Sequence, residues 1–387
     1  MRVDGVASYR PLAGGFVASG VLAAASRVVV TNGGLLVCAY MVRSGAGISD
    51  FVPHLSVSGD DGRTWEAPRV IWPDLVGVAS ISCALSRSRA GELFLYGTTT
   101  PIERPGETWW DGARQAMKQN DIFWARSTDD GRTWTAPTVI PMPIPGGAEA
   151  PGPLTVLRSG RWLACYAPYN TFDESVVVDR NQIVLVMSDD TGRSWRHTSM
   201  LRFEDPDAGG AEAWVVQMAD GRLVGTSWSM SLVTGADTPI PYALSSDDGT
   251  TWTTTRSTGI RGQATSLAPL HGGGVLMAYN QRQEPSPGVW LAVAEPSDAG
   301  FGVKRIGPAW LAEKATHTAA GTGHDEWTDF AFGEPSVTLL PDGDVFLTLW
   351  CDQPTGRGIR YVRLAGETVF NDPPPAAFAD PFARGDR

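Results

Sequence analysis

The chain has 387 residues, 42% of them apolar, and its 31 basic and 42 acidic side chains give a formal net charge of −11. The basic residues are scattered rather than clustered, which excludes a nucleic-acid partner, and no segment approaches the roughly 18 apolar residues of a membrane helix. We therefore expect a globular protein with a small neutral or polar ligand. We also expect a cytoplasmic location, because residues 1–20 hold no apolar core of signal-peptide length, or secretion if a signal has been removed.

Six hairpin patterns follow one another along the chain. Each has an apolar run, a turn that contains glycine and a second apolar run, which together indicate two antiparallel strands. No long helical periodicity competes with them, so the fold is predicted to be all-β. The six patterns are RVVVTNGGLLVCAY from Arg27, SCALSRSRAGELFLYG from Ser82, PLTVLRSGRWLACYA from Pro153, EAWVVQMADGRLVGTSW from Glu212, ATSLAPLHGGGVLMAY from Ala264 and EPSVTLLPDGDVFLTLW from Glu334.

A third strand follows each hairpin, and in the first four units it runs directly into an eight-residue motif. The motif reads SGDDGRTW at 58–65, STDDGRTW at 127–134, SDDTGRSW at 188–195 and SSDDGTTW at 245–252. The fifth unit has only the degenerate EPSDAG at 295–300, and the sixth has no copy. Six such units predict radial repetition of small sheets, the six-bladed β-propeller. We expect one domain over 1–387, with about 20 residues at each end as peripheral extensions.

The eight-residue motif is predicted to be structural. In its first copy Asp60 can accept hydrogen bonds within its own turn, Gly62 can adopt a positive φ, and Thr64 can add a second local hydrogen bond. Trp65 offers a large apolar face that can pack between neighbouring blades. The alternatives are a calcium loop or a catalytic signature, but the closing bidentate Glu of an EF-type loop is absent.

No cofactor is expected from this sequence. Cys38, Cys83, Cys165 and Cys351 lie in apolar runs without metal-ligand spacing, so buried free thiols are favoured over disulfides. No glycine-rich phosphate loop and no nucleophile-elbow serine is evident. The cluster at 324–326, His-Asp-Glu, leaves a metal ion open as an alternative to a hydrogen-bonding role.

The motif and the hairpins carry a resemblance to a known superfamily. Ser-x-Asp-x-Gly-x-(Thr/Ser)-Trp resembles the Asp-box, or BNR repeat, of the sialidase superfamily, and the similarity extends from about residue 27 to residue 364. The resemblance implies a six-bladed propeller. It does not by itself imply a sialidase, because Asp-boxes also occur in other propellers.

Chain direction predicts which face of a propeller carries the site. The hairpin turns and the Asp-boxes both follow strands that run the same way, so both belong to one face. The opposite face holds the starts of the first strands and the ends of the second strands, which converge on the central channel. Candidates at strand starts are Arg27, Glu149, Glu212, Gln263 and Glu334.

Two of these carboxylates open otherwise apolar strands, each nine residues before the glycine of its hairpin turn. Glu212 and Glu334 are therefore predicted to be catalytic, with capping or a contact between blades as the structural alternative. The resemblance implies that Glu212 matches the fourth-blade glutamate that activates the tyrosine nucleophile of sialidases. Glu334 stands where that tyrosine would be. The resemblance also implies that Asp50 matches the loop aspartate that serves as acid and base in sialidases, with an aspartate of a surface turn as the structural alternative.

Other residues are predicted to bind substrate. Two long insertions, at 103–121 and 316–334, should lie at the channel mouth, and aromatic faces stack on sugars. The three-arginine clamp of sialidases is not evident, because Arg27 is shifted and Trp228 replaces another arginine. The predicted substrate-binding residues are Arg27, Arg43, Trp109, Trp110, Tyr169, Trp228, Gln263, Arg282, His324 and Asp352.

The sequence thus predicts a sialidase-like, exo-acting glycoside hydrolase with a carbohydrate as its partner and no nucleic acid or membrane. Its paired carboxylates would act at the channel mouth, one as general acid and the other as nucleophile or base. Three alternatives stay open. They are a true sialidase that gathers Arg27, Arg43 and Arg282, a propeller polysaccharide lyase, and a sugar-binding propeller without catalysis. The sequence does not determine the oligomeric state.

Overall fold

The computed structural model describes residues 7–283, 286–318 and 321–370, without the side chains of residues 324–326. This part of the chain is almost entirely β-structure. Its helical segments are a 3₁₀ turn at Pro73–Leu75, a second at His324–Asp329 and one short α-helix, α1, at Gly366–Phe370. Across these ranges, no helix has the length and apolar character needed to span a membrane.

The strands follow the predicted order of hairpins and third strands. Those of the first half are β1 (Pro11–Ser19), β2 (Leu22–Val30), β3 (Leu36–Arg43), β4 (Val52–Ser58), β5 (Arg69–Val70), β6 (Ala79–Arg87), β7 (Leu93–Pro101), β8 (Trp110–Asp111), β9 (Ala116–Met117), β10 (Asp121–Ser127), β11 (Thr138–Ile140), β12 (Gly147–Glu149), β13 (Thr155–Val156), β14 (Trp162–Thr171), β15 (Gln182–Ser188) and β16 (Arg196–Arg202). Those of the second half are β17 (Ala208–Gln217), β18 (Leu223–Ser231), β19 (Pro239–Ser245), β20 (Arg256–Arg261), β21 (Gln263–Pro269), β22 (Val275–Gln281), β23 (Gly288–Ala294), β24 (Val303–Leu311), β25 (Phe332–Leu339), β26 (Val345–Gln353) and β27 (Gly356–Leu364).

Five regular blades, each a four-stranded antiparallel sheet, are arranged as in a β-propeller. Their strand orders are β2-β3-β4-β5, β6-β7-β10-β11, β17-β18-β19-β20, β21-β22-β23-β24 and β25-β26-β27-β1. In each the predicted hairpin forms the first two strands, and the predicted third strand pairs next to it. The first strands pack against each other in succession, with β2 between β25 and β6, and β21 between β17 and β25.

The described residues form five regular blades, so the prediction of a six-bladed propeller is wrong, and the third repeat departs from the design of the others. It forms a seven-stranded sheet in which β12 and β13 both pair with β14, and β8 and β9 from the insertion extend the sheet. The first strand is split because Pro151 and Pro153 lie between its two pieces, and proline has no N–H to donate to a ladder.

The N-terminal segment contributes a strand to the last blade. Residues 11–19, expected within a peripheral extension, form β1, which pairs antiparallel with β27 as the outermost strand of the last blade. The start and the end of the chain thus share one sheet, which ties the ring closed. The predicted C-terminal extension lies mostly in 371–387, outside the described residues.

The Asp-boxes have the predicted local structure. Asp60 accepts from the Thr64 N–H at 2.9 Å and from the Thr64 hydroxyl at 2.6 Å, while Gly62 has φ +84°. The Trp65 indole N–H donates to the Gly62 carbonyl, and its ring lies 6.2 Å from that of Phe346 in the last blade. The other three copies repeat these aspartate bonds. The motif thus stabilises its own turn through the aspartate and packs its tryptophan against the neighbouring blade. All four cysteines are buried free thiols.

Candidate active site

A cavity of about 170 Å³ lies where the first strands begin and the second strands end, on the face that chain direction predicts. A cavity needs roughly 10–15 Å³ to hold one water, so this cavity has room for a ligand about the size of a monosaccharide. No Asp-box residue lines it. The predicted residues that do line it are Arg43, Trp109, Trp110, Tyr169, Glu212, Trp228, Arg282 and Glu334, joined by Glu149, Trp327, Phe330 and Trp350.

A repeated backbone irregularity places the glutamates. The strands β2, β17, β21 and β25 each have a register shift near their start, with one residue at positive φ: Ala25 (51°), Glu212 (48°), Ala264 (52°) and Glu334 (45°). Such a bulge turns a side chain away from the regular alternation. Alanine at two of the positions indicates that the bulge belongs to the fold. Glutamate at the other two directs a carboxylate into the cavity wall.

Two carboxylates link neighbouring sheets through these bulges. Glu334 Oε2 accepts from the Ala25 N–H at 2.8 Å, and Glu149 Oε2 accepts from the Glu212 N–H at 2.6 Å. Each therefore satisfies a backbone donor that the bulge removes from its ladder. The inter-blade contact considered for Glu334 is thus present. Glu149 was a strand-start candidate but not a predicted site residue, and it makes the same kind of link.

Glu212 differs from both. Its side chain lines the cavity, and among the described residues no atom donates to its Oε2 or accepts from it. Burial, followed by the charges of Glu334 and Glu149, raises the pKa of Glu212 well above its ordinary value. Burial likewise raises the pKa of Glu149 to about 8, although the Glu212 N–H opposes this. Burial thus favours the protonated form of both carboxyls.

Arg27 and Arg282 donate hydrogen bonds to other groups of the protein. Arg27 is buried, donates to the carbonyls of Ser26 at 2.8 Å and Pro151 at 2.9 Å, and does not line the cavity. Arg282 donates to Gln263 Oε1 and to a backbone carbonyl. Burial lowers the pKa of Arg282 to about 10, so the guanidinium stays charged at pH 7.

Aromatic side chains from both insertions meet at the cavity. The rings of Trp109 and Trp327 are stacked with centroids 5.8 Å apart and 11° between planes. Trp110 meets Tyr169 edge-on at 5.8 Å and Trp327 edge-on at 6.4 Å. The two insertions, one from the second unit and one before the sixth, thus form a single aromatic wall.

Besides Arg27, three predicted site residues do not line this cavity: Asp50, Asp352 and Gln263. Asp50 closes its own loop by accepting the Ser44 N–H at 3.0 Å, so its carboxylate already has a local partner. Asp352 is in ion-pair range of Arg357, at 3.6 Å. Gln263 is buried behind the wall, bonded to Arg282. His324 begins a 3₁₀ turn, and its side chain lies outside what the structure describes.

Asp237 was missed by sequence reasoning. It lies in the loop between β18 and β19 and accepts from the indole of Trp228 at 2.8 Å and from Gln263 at 2.7 Å. No local pattern marks it, because its partners come from two different blades. In the described ranges, no three His, Cys, Asp or Glu side chains are grouped as a metal site.

Comparison with known proteins agrees with the fold. Residues 34–306 match the family of BNR repeat-like domains. A crystal structure of a protein of unknown function from Dyadobacter fermentans superposes with a TM-score of 0.71 and 21% identity, covering 92% of this chain and 98% of that one. The NanB sialidase of Streptococcus pneumoniae superposes with a TM-score of 0.62 and 15% identity, covering 92% of this chain and 70% of that one. The intramolecular trans-sialidase of Ruminococcus gnavus superposes with a TM-score of 0.60 and 15% identity, covering 93% of this chain and 98% of that one. A search of curated proteins finds no significant match. The chain therefore belongs to the family of BNR repeat-like domains.

Proposed function

We propose that the protein is a glycoside hydrolase that removes a terminal sugar from a carbohydrate. One observation carries the proposal: Glu212 presents a buried carboxyl, with an oxygen that no described atom hydrogen-bonds, beside the carboxyl groups of Glu149 and Glu334 in a cavity of sugar size. A buried carboxyl without a partner destabilises a fold, which argues for a functional role.

The environments of the glutamates suggest their roles. Glu212 is the general acid, and its proton passes to the glycosidic oxygen as the bond from that oxygen to the anomeric carbon breaks. Glu334 is the partner carboxylate, because it accepts the Ala25 N–H and lies near the charges of Arg27 and Arg43. It either attacks the anomeric carbon or takes a proton from the attacking water. The configuration of the first product, followed by NMR, distinguishes the two.

The aromatic wall supports a sugar substrate and attack at a chain end. The C–H face of a pyranose can stack on indoles, and the cavity is bounded by Trp109, Trp110, Trp228 and Trp327. Because Trp109 and Trp327 stack on each other across two insertions, the site is closed on that side. A single terminal residue fits this shape better than the interior of a long chain.

A sialoside is the second candidate. Arg43 and Arg282 both line the cavity, which favours a substrate with a carboxylate. Against a sialoside, the Arg27 guanidinium donates to backbone carbonyls and so cannot complete a three-arginine clamp. The fold similarity to sialidases does not decide between these substrates.

A panel of aryl glycosides that includes sialosides tests the proposal. We expect wild type to release the aglycone from at least one member, with Glu212→Gln and Glu334→Gln folded but inactive. The matched control is Glu295→Gln, on an exposed glutamate of the fifth blade that pairs with Lys304 at 2.9 Å, and it should retain full activity. Full activity in Glu212→Gln would overturn the assignment. An unsaturated product absorbing in the near ultraviolet would indicate a lyase, and binding without turnover a sugar-binding propeller.

A further inference from the structure

Asp237 lies behind the cavity wall and joins two of its sides. Its Oδ1 accepts the indole N–H of Trp228, a wall residue on β18, at 2.8 Å. Its Oδ2 accepts from Gln263 Nε2 at 2.7 Å, and Gln263 Oε1 in turn accepts from Arg282, a wall residue that follows β22. One carboxylate therefore contacts Trp228 directly and Arg282 through a single amide.

The chemistry of the partners fixes the direction of this chain of hydrogen bonds. The second N–H of Gln263 Nε2 donates to the Thr322 carbonyl at 2.6 Å. The two groups that contact Nε2, the Asp237 carboxylate and the Thr322 carbonyl, can only accept hydrogen bonds. The Arg282 guanidinium, which contacts Oε1, can only donate them. The amide of Gln263 thus has one orientation that satisfies all three contacts. That orientation requires Asp237 to accept at Oδ2, and the indole N–H of Trp228 requires it to accept at Oδ1.

Asp237 has the charge state that this role needs. Burial raises its pKa to about 6, opposed by the bonds from Trp228 and Gln263 and by the charges of Arg282 and Arg261. It is therefore mostly ionised at neutral pH and can accept at both oxygens. Arg261 also donates to the Asp237 backbone carbonyl at 3.0 Å, which holds the loop in place.

Arg282 connects this chain to the proposed acid. Its guanidinium lies 3.8 Å from the ring centroid of the wall residue Phe330, and its charge acts on Glu212. A shift of Arg282 would therefore change both the shape of the wall and the field at Glu212.

We propose that Asp237 is a positioning residue that sets Trp228 and, through Gln263, Arg282 for a bound sugar. The proposal rests on the hydrolase function above. It predicts that Asp237→Asn leaves one of the two hydrogen-bond donors, Trp228 or Gln263, without an acceptor. The amide offers one acceptor and one donor, so its NH₂ must face a donor on either Trp228 or Gln263. If Gln263 turned over to relieve this, its own NH₂ would face Arg282.

The kinetic test uses a two-residue cycle on the best substrate of the glycoside panel. Asp237→Asn is expected to raise KM about tenfold with kcat changed less, since a mispaired buried donor weakens binding by roughly that factor. Trp228→Phe keeps an aromatic face but removes the indole donor, so an Asn at 237 can then direct its oxygen to Gln263. In that background Asp237→Asn should raise KM less than about threefold. The control Asp298→Asn, on an exposed aspartate, should match wild type.

A second measurement does not depend on turnover. The indole N–H resonance of Trp228, assigned by its loss in Trp228→Phe, and the Arg282 Nε–H resonance should both move in Asp237→Asn and stay in Asp298→Asn. If no glycoside is hydrolysed, the hydrolase proposal fails while these resonances still test the positioning role. An unchanged KM, equal effects in both backgrounds, or unmoved resonances would each overturn it.

Discussion

Glu212→Gln replaces a buried carboxyl by a neutral amide of nearly the same shape. Burial and the charges of Glu334 and Glu149 raise the pKa of Glu212 well above its ordinary value, so the protonated form is favoured and the substitution adds no charge to the cavity. Among the described residues nothing donates to Oε2, so the new NH₂ faces no mispaired donor there. We therefore expect unchanged thermal unfolding and a loss of turnover due to the missing proton alone.

The expected loss depends on the leaving group. Removal of a general acid lowers the rate by about 10²–10⁴, which is roughly 2.7–5.4 kcal/mol at 1.36 kcal/mol per factor of ten. A leaving group that departs as a stable anion needs no proton, so the loss should shrink as the leaving group becomes more acidic. The assay is kcat/KM on a series of aryl glycosides of one sugar, compared between wild type and Glu212→Gln. Equal losses across the series would refute the role of Glu212 as proton donor.

Three further predictions concern other parts of the molecule. Glu149 has a pKa of about 8, and its charge above that pH raises the pKa of Glu212, so Glu149→Gln should move the alkaline limb of the pH profile of kcat/KM to lower pH; an upward shift or none contradicts this. Trp327→Ala removes the stacking partner of Trp109 and should raise KM about tenfold, with Trp327→Phe closer to wild type in the same assay. Asp60 has a pKa lowered to about 2, mainly by Thr64, so it stabilises the fold above its ordinary pKa, and this contribution is lost as the pH falls towards 2. Asp60→Asn should therefore lower Tm at pH 7 more than at pH 3, by calorimetry, and leave kcat/KM unchanged; lost activity would place the Asp-box in the site.

Local features were predictable from the sequence. A hairpin is defined by two apolar runs and a turn glycine, and the Asp-box by hydrogen bonds among residues four positions apart, as in Asp60 and Thr64. Chain direction then places the starts of the first strands on one face. For this reason Glu212 and Glu334 could be predicted at the cavity, together with Trp109, Trp110 and Trp228.

Features that depend on distant pairing were not predictable. Glu149 acquires its role from a backbone N–H 63 residues away, and Asp237 from side chains on two blades. The bulges that turn Glu212 and Glu334 inward have no turn residue to mark them. The N-terminal strand β1 pairs with β27, and nothing in residues 11–19 names that partner.

The protonation state of Glu212 tests the central claim most directly. Carboxyl carbons of the glutamates, isotopically labelled and assigned by comparison with Glu212→Gln, can be followed by NMR from pH 4 to pH 9. We predict that the Glu212 carboxyl titrates well above its ordinary value, because it is buried beside Glu334 and Glu149. A Glu212 resonance that titrates near the ordinary value of 4.5 would contradict a buried proton donor in this cavity.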